Sequence, residues 1–476
     1  MAGFKEVLKH SGNYLLANLA TRALAFISIP VYTRVLSTED YGITAVFLSA
    51  VGILNGLIAL NFDTSVSRYY YDKTSDADFK TFVGTSLISA TIAICLTSAL
   101  IYSFAHRLSA LTSLPLKTIY LLVPMAVVNL VGLMFIQIYQ PLKQSKAIAL
   151  SSLARVYLGF VFSIGLIFVF KSEKYFGQIL GQILAGGAML VYWIRKISPY
   201  VALTFDVQHL KYILHYSIPL IPYTLSGVVI EQFGKLTIAS TEGVAQAGFY
   251  TLAVSIASLT AIVTEITHMA WYPYYMEYMK SGNYERHDSD LVRIFKLTLV
   301  AAMFFSCFGQ EIGLILAKRD FTSALYLIPI ITLGYVCHQL AYAYMRNLSF
   351  ALKTSYMSLI VISAGCVNIL LNSVMISRWG ASGAAVAFAL SYALMAGLSW
   401  IFSTFVAKVR GISLCLLLRP LGLLTFFLCP LYFIFRIPGF WLPFSAKLLL
   451  FGLLACVLFW NDRQAVVQIL RRYLFR

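Results

Sequence analysis

The sequence predicts an all-α, multi-pass membrane protein of about fourteen transmembrane helices, arranged as two six-helix lobes in a parallel repeat with two extra C-terminal helices. Three observations carry this prediction. Of 476 residues, 60% are hydrophobic and only 12% charged, with a mean hydropathy of +0.80, well outside the range of soluble domains. The apolar residues gather into runs of about 20, the length a helix needs to cross hydrocarbon. Short polar breaks separate the runs, and their pattern recurs once along the chain.

The runs fall near 13–36, 41–62, 80–104, 118–140, 147–170, 176–194, 212–234, 245–269, 292–317, 321–345, 354–377, 381–406, 412–435 and 441–461. Breaks such as Ser37-Thr38-Glu39-Asp40, Lys171-Ser172-Glu173-Lys174 and Arg436-Ile437-Pro438-Gly439 supply cap and turn residues. The first run is too long for the apolar region of a signal peptide, and no small-residue cleavage site follows its centre, so it is expected to stay in the mature protein. All seven cysteines lie inside apolar stretches without C-x-x-C spacing, which suits small core residues better than disulfides or metal ligands.

The net charge of +17 does not point to nucleic acid, because the basic residues stand in ones and twos between apolar runs and never form a long block. Their placement fits membrane orientation instead. With a cytoplasmic N-terminus, about 24 basic residues fall at cytoplasmic ends and about 9 at the opposite ends. Both termini are therefore expected inside, with Arg471, Arg472 and Arg476 at the anionic leaflet. The longest loops, around 63–79 and 271–291, are too short to be folded domains. There is no H-E-x-x-H, G-x-S-x-G, P-loop or dinucleotide fingerprint in a workable context. A transporter needs only spans; an embedded glycan polymerase or acyltransferase would want a longer loop or a catalytic pair. No cofactor is expected.

The repeat has an interval of about 206 residues. Leu36-Ser37-Thr38-Glu39, then Tyr41-Gly42, a span and Arg68-Tyr69-Tyr70-Tyr71-Asp72-Lys73 correspond to Ala239-Ser240-Thr241-Glu242, then Gly248-Phe249-Tyr250, a span and Trp271-Tyr272-Pro273-Tyr274-Tyr275-Met276-Glu277. Gly177 to Gly181 corresponds to Gly380 to Gly383. A unit of six spans enters the membrane twice from the same side, so the repeat is parallel. The expected division is 1–200 for spans 1–6, 201–408 for spans 7–12, and 409–476 for spans 13–14 and a basic tail.

Ser11-Gly12-Asn13-Tyr14 through Thr33-Arg34-Val35-Leu36-Ser37-Thr38-Glu39-Asp40-Tyr41-Gly42, with Pro30 late in span 1, resembles the N-terminal signature of Wzx-type polysaccharide flippases. Those proteins belong to the multidrug/oligosaccharidyl-lipid/polysaccharide exporter superfamily. The resemblance implies a bacterial inner-membrane flippase that moves an undecaprenyl-pyrophosphate-linked oligosaccharide by alternating access, for a surface polysaccharide such as O-antigen. Implied partners are that lipid-linked substrate, membrane lipids, a glycan polymerase and a chain-length regulator. The alternative within the superfamily is an ion-coupled multidrug-type exporter; those usually have twelve spans, whereas lipid II flippases add two.

A pyrophosphate crossing hydrocarbon must meet fixed cations, and the guanidinium's planar fork of donors suits phosphate. Arg22, mid-span, is the leading candidate, with a helix-joining salt bridge as its other role. Lys235 follows Glu231 by four residues, so the two either neutralise each other or Lys235 meets substrate. Arg68 stands with Asp63 and Asp72 where a headgroup would first arrive, or is a solvated loop charge. Glu265 is a partner for Arg22 or Lys235, or a proton carrier. Glu311 is expected to be solvated, and Arg155 and Arg346 to snorkel to headgroups. Asn368 and Asn372 share a helix face and suit interhelical hydrogen bonds, and a lone His338 is weak ground for proton coupling. The tyrosine runs at 69–71 and 272–278 fit interfacial belts. Pro30, Pro219 and Pro222 should bend the first helix of each lobe and serve as hinges.

Overall fold

The computed structural model describes residues 2–58, 61–409, 412–434 and 441–460. The expected turn Arg436–Gly439 and the basic residues Arg471, Arg472 and Arg476 lie outside the described residues. Among those described, every element is a helix, with no strand. The helices are α1 (Ala2–Val35), α2 (Thr38–Ile58), α3 (Phe62–Tyr69), α4 (Asp76–Ser103), α5 (Ala105–Thr112) and α6 (Leu116–Tyr139). Then come α7 (Ser145–Val169), α8 (Lys174–Ile197), α9 (Val207–Ser217), α10 (Leu220–Glu242), α11 (Val244–Ala257) and α12 (Leu259–Ser281). The last are α13 (Tyr284–Leu316), α14 (Ile328–Phe350), α15 (Thr354–Ile401), α16 (Leu414–Ile434) and α17 (Trp441–Phe459).

Eleven stretches among the described residues are long and apolar enough to cross a membrane, and a twelfth forms if α9 and α10 count as one span bent by 44°. The chain is a multi-pass membrane protein. Two features separate this number from fourteen. At 48 residues, α15 would span about 72 Å as one straight helix, more than twice the hydrocarbon thickness. Gly380 breaks it with φ 56° and ψ −138°, a conformation open essentially to glycine. Its two arms therefore hold the runs expected at 354–377 and 381–406. The other feature is α1, which is not among those stretches but holds residues 13–35 of the first expected run, with Pro30 inside an unbroken helix.

Polar breaks work as caps. Ser37 and Asp40 close a reciprocal box at the start of α2: Ser37 N–H donates to Asp40 Oδ2 at 3.3 Å, and Asp40 N–H to Ser37 Oγ at 3.0 Å. Asp40 Oδ1 also accepts from Tyr175 N–H at 3.3 Å, tying the start of α8 to that of α2. Asp206 caps α9 by accepting from Gln208 N–H and His209 N–H at 2.6 and 3.1 Å.

The chain forms two compact units, one of residues 1–248 with 316–321 and the other of 249–315 with 322–476. In the first, the core gathers around α6, with Phe62, Phe82, Met134, Phe135, Ile138 and Trp193 buried together. Here α10 packs on α2. The repeat glycines meet directly, since a Cβ on Gly248 would lie 2.9 Å from Gly42 Cα, and one on Gly42 only 1.9 Å from Val244 O. The second unit is built on α14 packed against α15, with Tyr344 and Phe295 almost fully buried. Asn372 Nδ2 donates to Asn368 Oδ1 at 2.8 Å and Asn368 Nδ2 to Ser391 Oγ at 3.0 Å, linking the two arms of α15.

Candidate substrate-contact residues

Three cations sit on apolar helices of the first unit. Arg22 is half-buried on α1 and takes part in an interaction, so it is not a free charge. Lys235 is half-buried on α10, and its Nζ donates to Gln232 Oε1 at 3.0 Å; Glu231 is engaged as well. Gln232 is a partner that a search for opposite charges passes over. Arg155, expected to snorkel, instead turns inward: its guanidinium donates to Asn129 Oδ1 and lies 5.8 Å over the Trp193 ring. A half-buried guanidinium with an amide acceptor and an aromatic face is held without a carboxylate.

The polar corner formed by α3, α4 and α9 places the residues after span 2. Asp63 is buried in the first turn of α3. Burial pushes its carboxyl up, outweighing the hydrogen bonds from the N–H groups of Thr64 and its own residue and from Gln137. Arg68 is exposed and pairs with Asp72 at 3.3 Å; an exposed pair of this kind adds at most about 1 kcal/mol. Tyr212 Oη donates to Asp72 Oδ2 at 2.7 Å.

Tyr69 is more than an interfacial ring. Its hydroxyl donates to Asp78 Oδ2 at 2.9 Å and lies 3.1 Å from His209 Nε2, which is 3.0 Å from Asp78 Oδ1. Its ring stacks on Phe82 with centroids 3.8 Å apart. Burial, and then the Asp78 carboxylate, hold its hydroxyl above the usual tyrosine range. Asp206, in contrast, is held below the usual carboxylate range by the N–H groups of His209 and Gln208. This network fastens α9 to α3 and α4. Sequence reasoning missed Asp78 and His209, which are 131 positions apart and share no local pattern.

Pro219 caps α10 at the 44° break between α9 and α10, and Pro222 lies in the first turn that follows. In the second unit, Glu265 is exposed on α12 and takes part in an interaction. Glu311 corrects an expectation: it is not solvated but pairs with Lys447 of α17 at 2.7 Å, with side-chain exposures of 18% and 3%. The rings of Phe304 and Phe308 on α13 pack on those of Phe444 and Phe451 on α17, and at this low exposure a charge without its counter-ion is costly. His338 is enclosed by the rings of Tyr342 and Tyr392 at 4.7 and 4.5 Å. No group of three or more metal-ligating side chains occurs among the described residues.

Comparison with known proteins extends these observations. The polysaccharide biosynthesis protein family matches residues 7–279. The chain is 22% identical over 287 residues to Lsg locus putative protein 1 of Haemophilus influenzae, covering 58% of this chain and 67% of that protein. Among solved structures, the lipid II flippase MurJ in an inward closed conformation superimposes with a TM-score of 0.68 at 14% identity, over 97% of this chain and 99% of that one. An inward-facing multidrug resistance MATE family transporter of the MOP superfamily gives 0.59 at 15% identity, over 83% and 94%. At these identities the structural likeness establishes the fold, and the sequence match establishes the family.

Proposed function

We propose, for a chain that belongs to the polysaccharide biosynthesis protein family, that it is a flippase carrying a polyprenyl-pyrophosphate-linked oligosaccharide across the bacterial inner membrane for surface polysaccharide assembly. One observation carries this proposal. Within the matched segment, Arg22 and Lys235 are half-buried on long apolar helices of one compact unit, where cations are costly and kept for function.

In this account Arg22 is the principal contact for the pyrophosphate, through charge-assisted bonds from its fork of donors. Lys235 adds a second positive charge, and Arg68 receives the headgroup at the membrane surface. Glu231 and Asp63 balance these cations when no substrate is bound. Two lobes move in alternating access with Pro30, Pro219 and Pro222 as hinges, exposing the site to each leaflet in turn. Both termini are cytoplasmic. A polymerase and a chain-length regulator would take the glycan onward.

Complementation of a strain lacking the gene tests the proposal, comparing wild type, Arg22→Ala and Arg22→Lys at matched membrane levels. Ala should abolish surface glycan while lipid-linked units accumulate, and Lys should restore part of it. Full surface glycan with both variants would remove Arg22 from the mechanism.

A further inference from the structure

Along the seam where α12 packs on α14 in the second unit, several buried nitrogens lack hydrogen-bond partners. Among the described residues, Gln339 Nε2, both ring nitrogens of His268, Trp271 Nε1 and Arg346 Nη1 are buried atoms without a hydrogen-bond partner. Thr264, His268 and Trp271 recur at helical spacing on α12, as do Gln339, Tyr342 and Arg346 on α14, so each set shares a face.

The contacts join these faces into one strip. Thr264 Oγ1 donates to Gln339 Oε1 at 3.4 Å. The His268 ring lies 6.4 Å from Tyr342, and the Arg346 guanidinium lies 5.2 Å over the Trp271 ring. Beyond Arg346 the polar groups are satisfied: Tyr275 Oη donates to Asn347 Oδ1 and Asn347 Nδ2 to Ser403 Oγ, both at 2.9 Å. The carboxylate on that side, Asp288, is held 2.8 Å from His287 Nδ1, and the His287 ring packs 5.4 Å from Trp271.

Guanidinium and indole nitrogens only donate, and the guanidinium is always charged. The Trp271 face offsets part of the cost of burying Arg346 but accepts none of its hydrogen bonds in their plane. No carboxylate pairs with Arg346 among the described residues. A fixed positive charge flanked by further donors is complementary to an acceptor-rich anion. The guanidinium fork matches two oxygens of a tetrahedral oxyanion better than a single-atom anion.

We propose that the α12–α14 seam is an anion site for a phosphate-type group, with Arg346 supplying the charge and Trp271 and His268 the flanking donors. The group belongs either to the headgroup of a lipid-linked pyrophosphate or to free inorganic phosphate. The first source rests on the flippase proposal; the site itself does not.

The test uses the full chain in lipid nanodiscs, following tryptophan emission during titration with inorganic pyrophosphate and, in a second arm, with nanodiscs carrying a polyprenyl pyrophosphate. Six tryptophans are present, so subtracting the Trp271→Phe spectrum isolates the signal at the site. The expected result is a saturable Trp271 response that Arg346→Gln weakens by about 10-fold or more and Arg346→Lys preserves in part. A response to the lipid-borne probe at concentrations where free pyrophosphate gives none assigns the site to the headgroup, and the reverse assigns it to free anion. No saturable Trp271 response to either probe, or an equal response in Arg346→Gln, overturns the site. Failure of the flippase proposal would show in the glycan complementation and not in this titration.

Discussion

The hairpin of α7 and α8 in the first unit and the two arms of α15 in the second carry the glycine segments matched by sequence, Gly177 to Gly181 and Gly380 to Gly383, yet they turn differently. In the first, residues 170–173 make the turn, and it is tied down from outside: Lys117 pairs with Glu173, and Lys174 Nζ donates to Val35 O at 2.9 Å. In the second, Gly380 alone interrupts the helix. What the hairpins share is close approach. A Cβ on Gly181 would lie 2.4 Å from Ser163 Cα, and one on Gly383 2.2 Å from Met375 O. Gly177, the counterpart of Gly380, is helical and would meet Leu166 O at 2.7 Å. Glycines thus serve packing in both hairpins, and at Gly380 the turn itself.

The comparison breaks first at the packing glycines. Gly181→Ala and Gly383→Ala each force a methyl into backbone that cannot rotate away, so each should cost more than about 3 kcal/mol. That loss would be seen as reduced monodisperse protein in detergent and a lower melting temperature. Gly380→Ala should cost about 1–3 kcal/mol through backbone strain, and equal losses at Gly380 and Gly383 would contradict the distinction between turn and packing.

A second contrast lies between the charges of the two units. The corner at α3, α4 and α9 is partly solvated and networked, whereas Lys447 and Glu311 pair with little exposure. Lys447→Met should destabilise by about 3–5 kcal/mol, and Lys447→Met with Glu311→Leu should recover most of that loss. Additive losses in the double variant would show that the two residues do not act as a pair.

The smallest effect is expected at Asp63, whose folded carboxyl is raised by burial. Its favourable contribution is complete below the unfolded aspartate value, about 3.9, and is lost as pH rises through the folded one. Asp63→Asn mimics the protonated form, so it should raise the melting temperature slightly at neutral pH and flatten its pH dependence. A lower melting temperature at neutral pH would mean that the ionised carboxylate is needed.

The helical class and the apolar runs were legible in the sequence because crossing hydrocarbon demands a length and a composition that few other structures share. Local polar geometry was legible too: the box at Ser37 and Asp40 follows from residues three apart, and the bond from Asn368 to Ser391 joins two helical arms as the shared face of Asn368 and Asn372 led one to expect. Pairings across long separations were not. Glu311 and Lys447 are 136 positions apart, so Glu311 read as solvated. Arg155 and Arg346 read as snorkelling because nothing nearby in sequence discloses Asn129, Trp193 or Trp271. The separation of the runs at 354–377 and 381–406 was legible as well, but not the single-residue break that makes it. Gly380 had been noted for the repeat and not for its backbone.

The central claim is that a cation on α1 carries a pyrophosphate-linked glycan between leaflets. It is tested most directly by labelling lipid-linked glycan with a membrane-impermeant reagent in spheroplasts expressing wild type, Arg22→Ala or Arg22→Lys. The account predicts outer-leaflet labelling with wild type, little or none with Ala despite accumulated lipid-linked glycan, and an intermediate level with Lys. Labelling with Ala equal to wild type would contradict it.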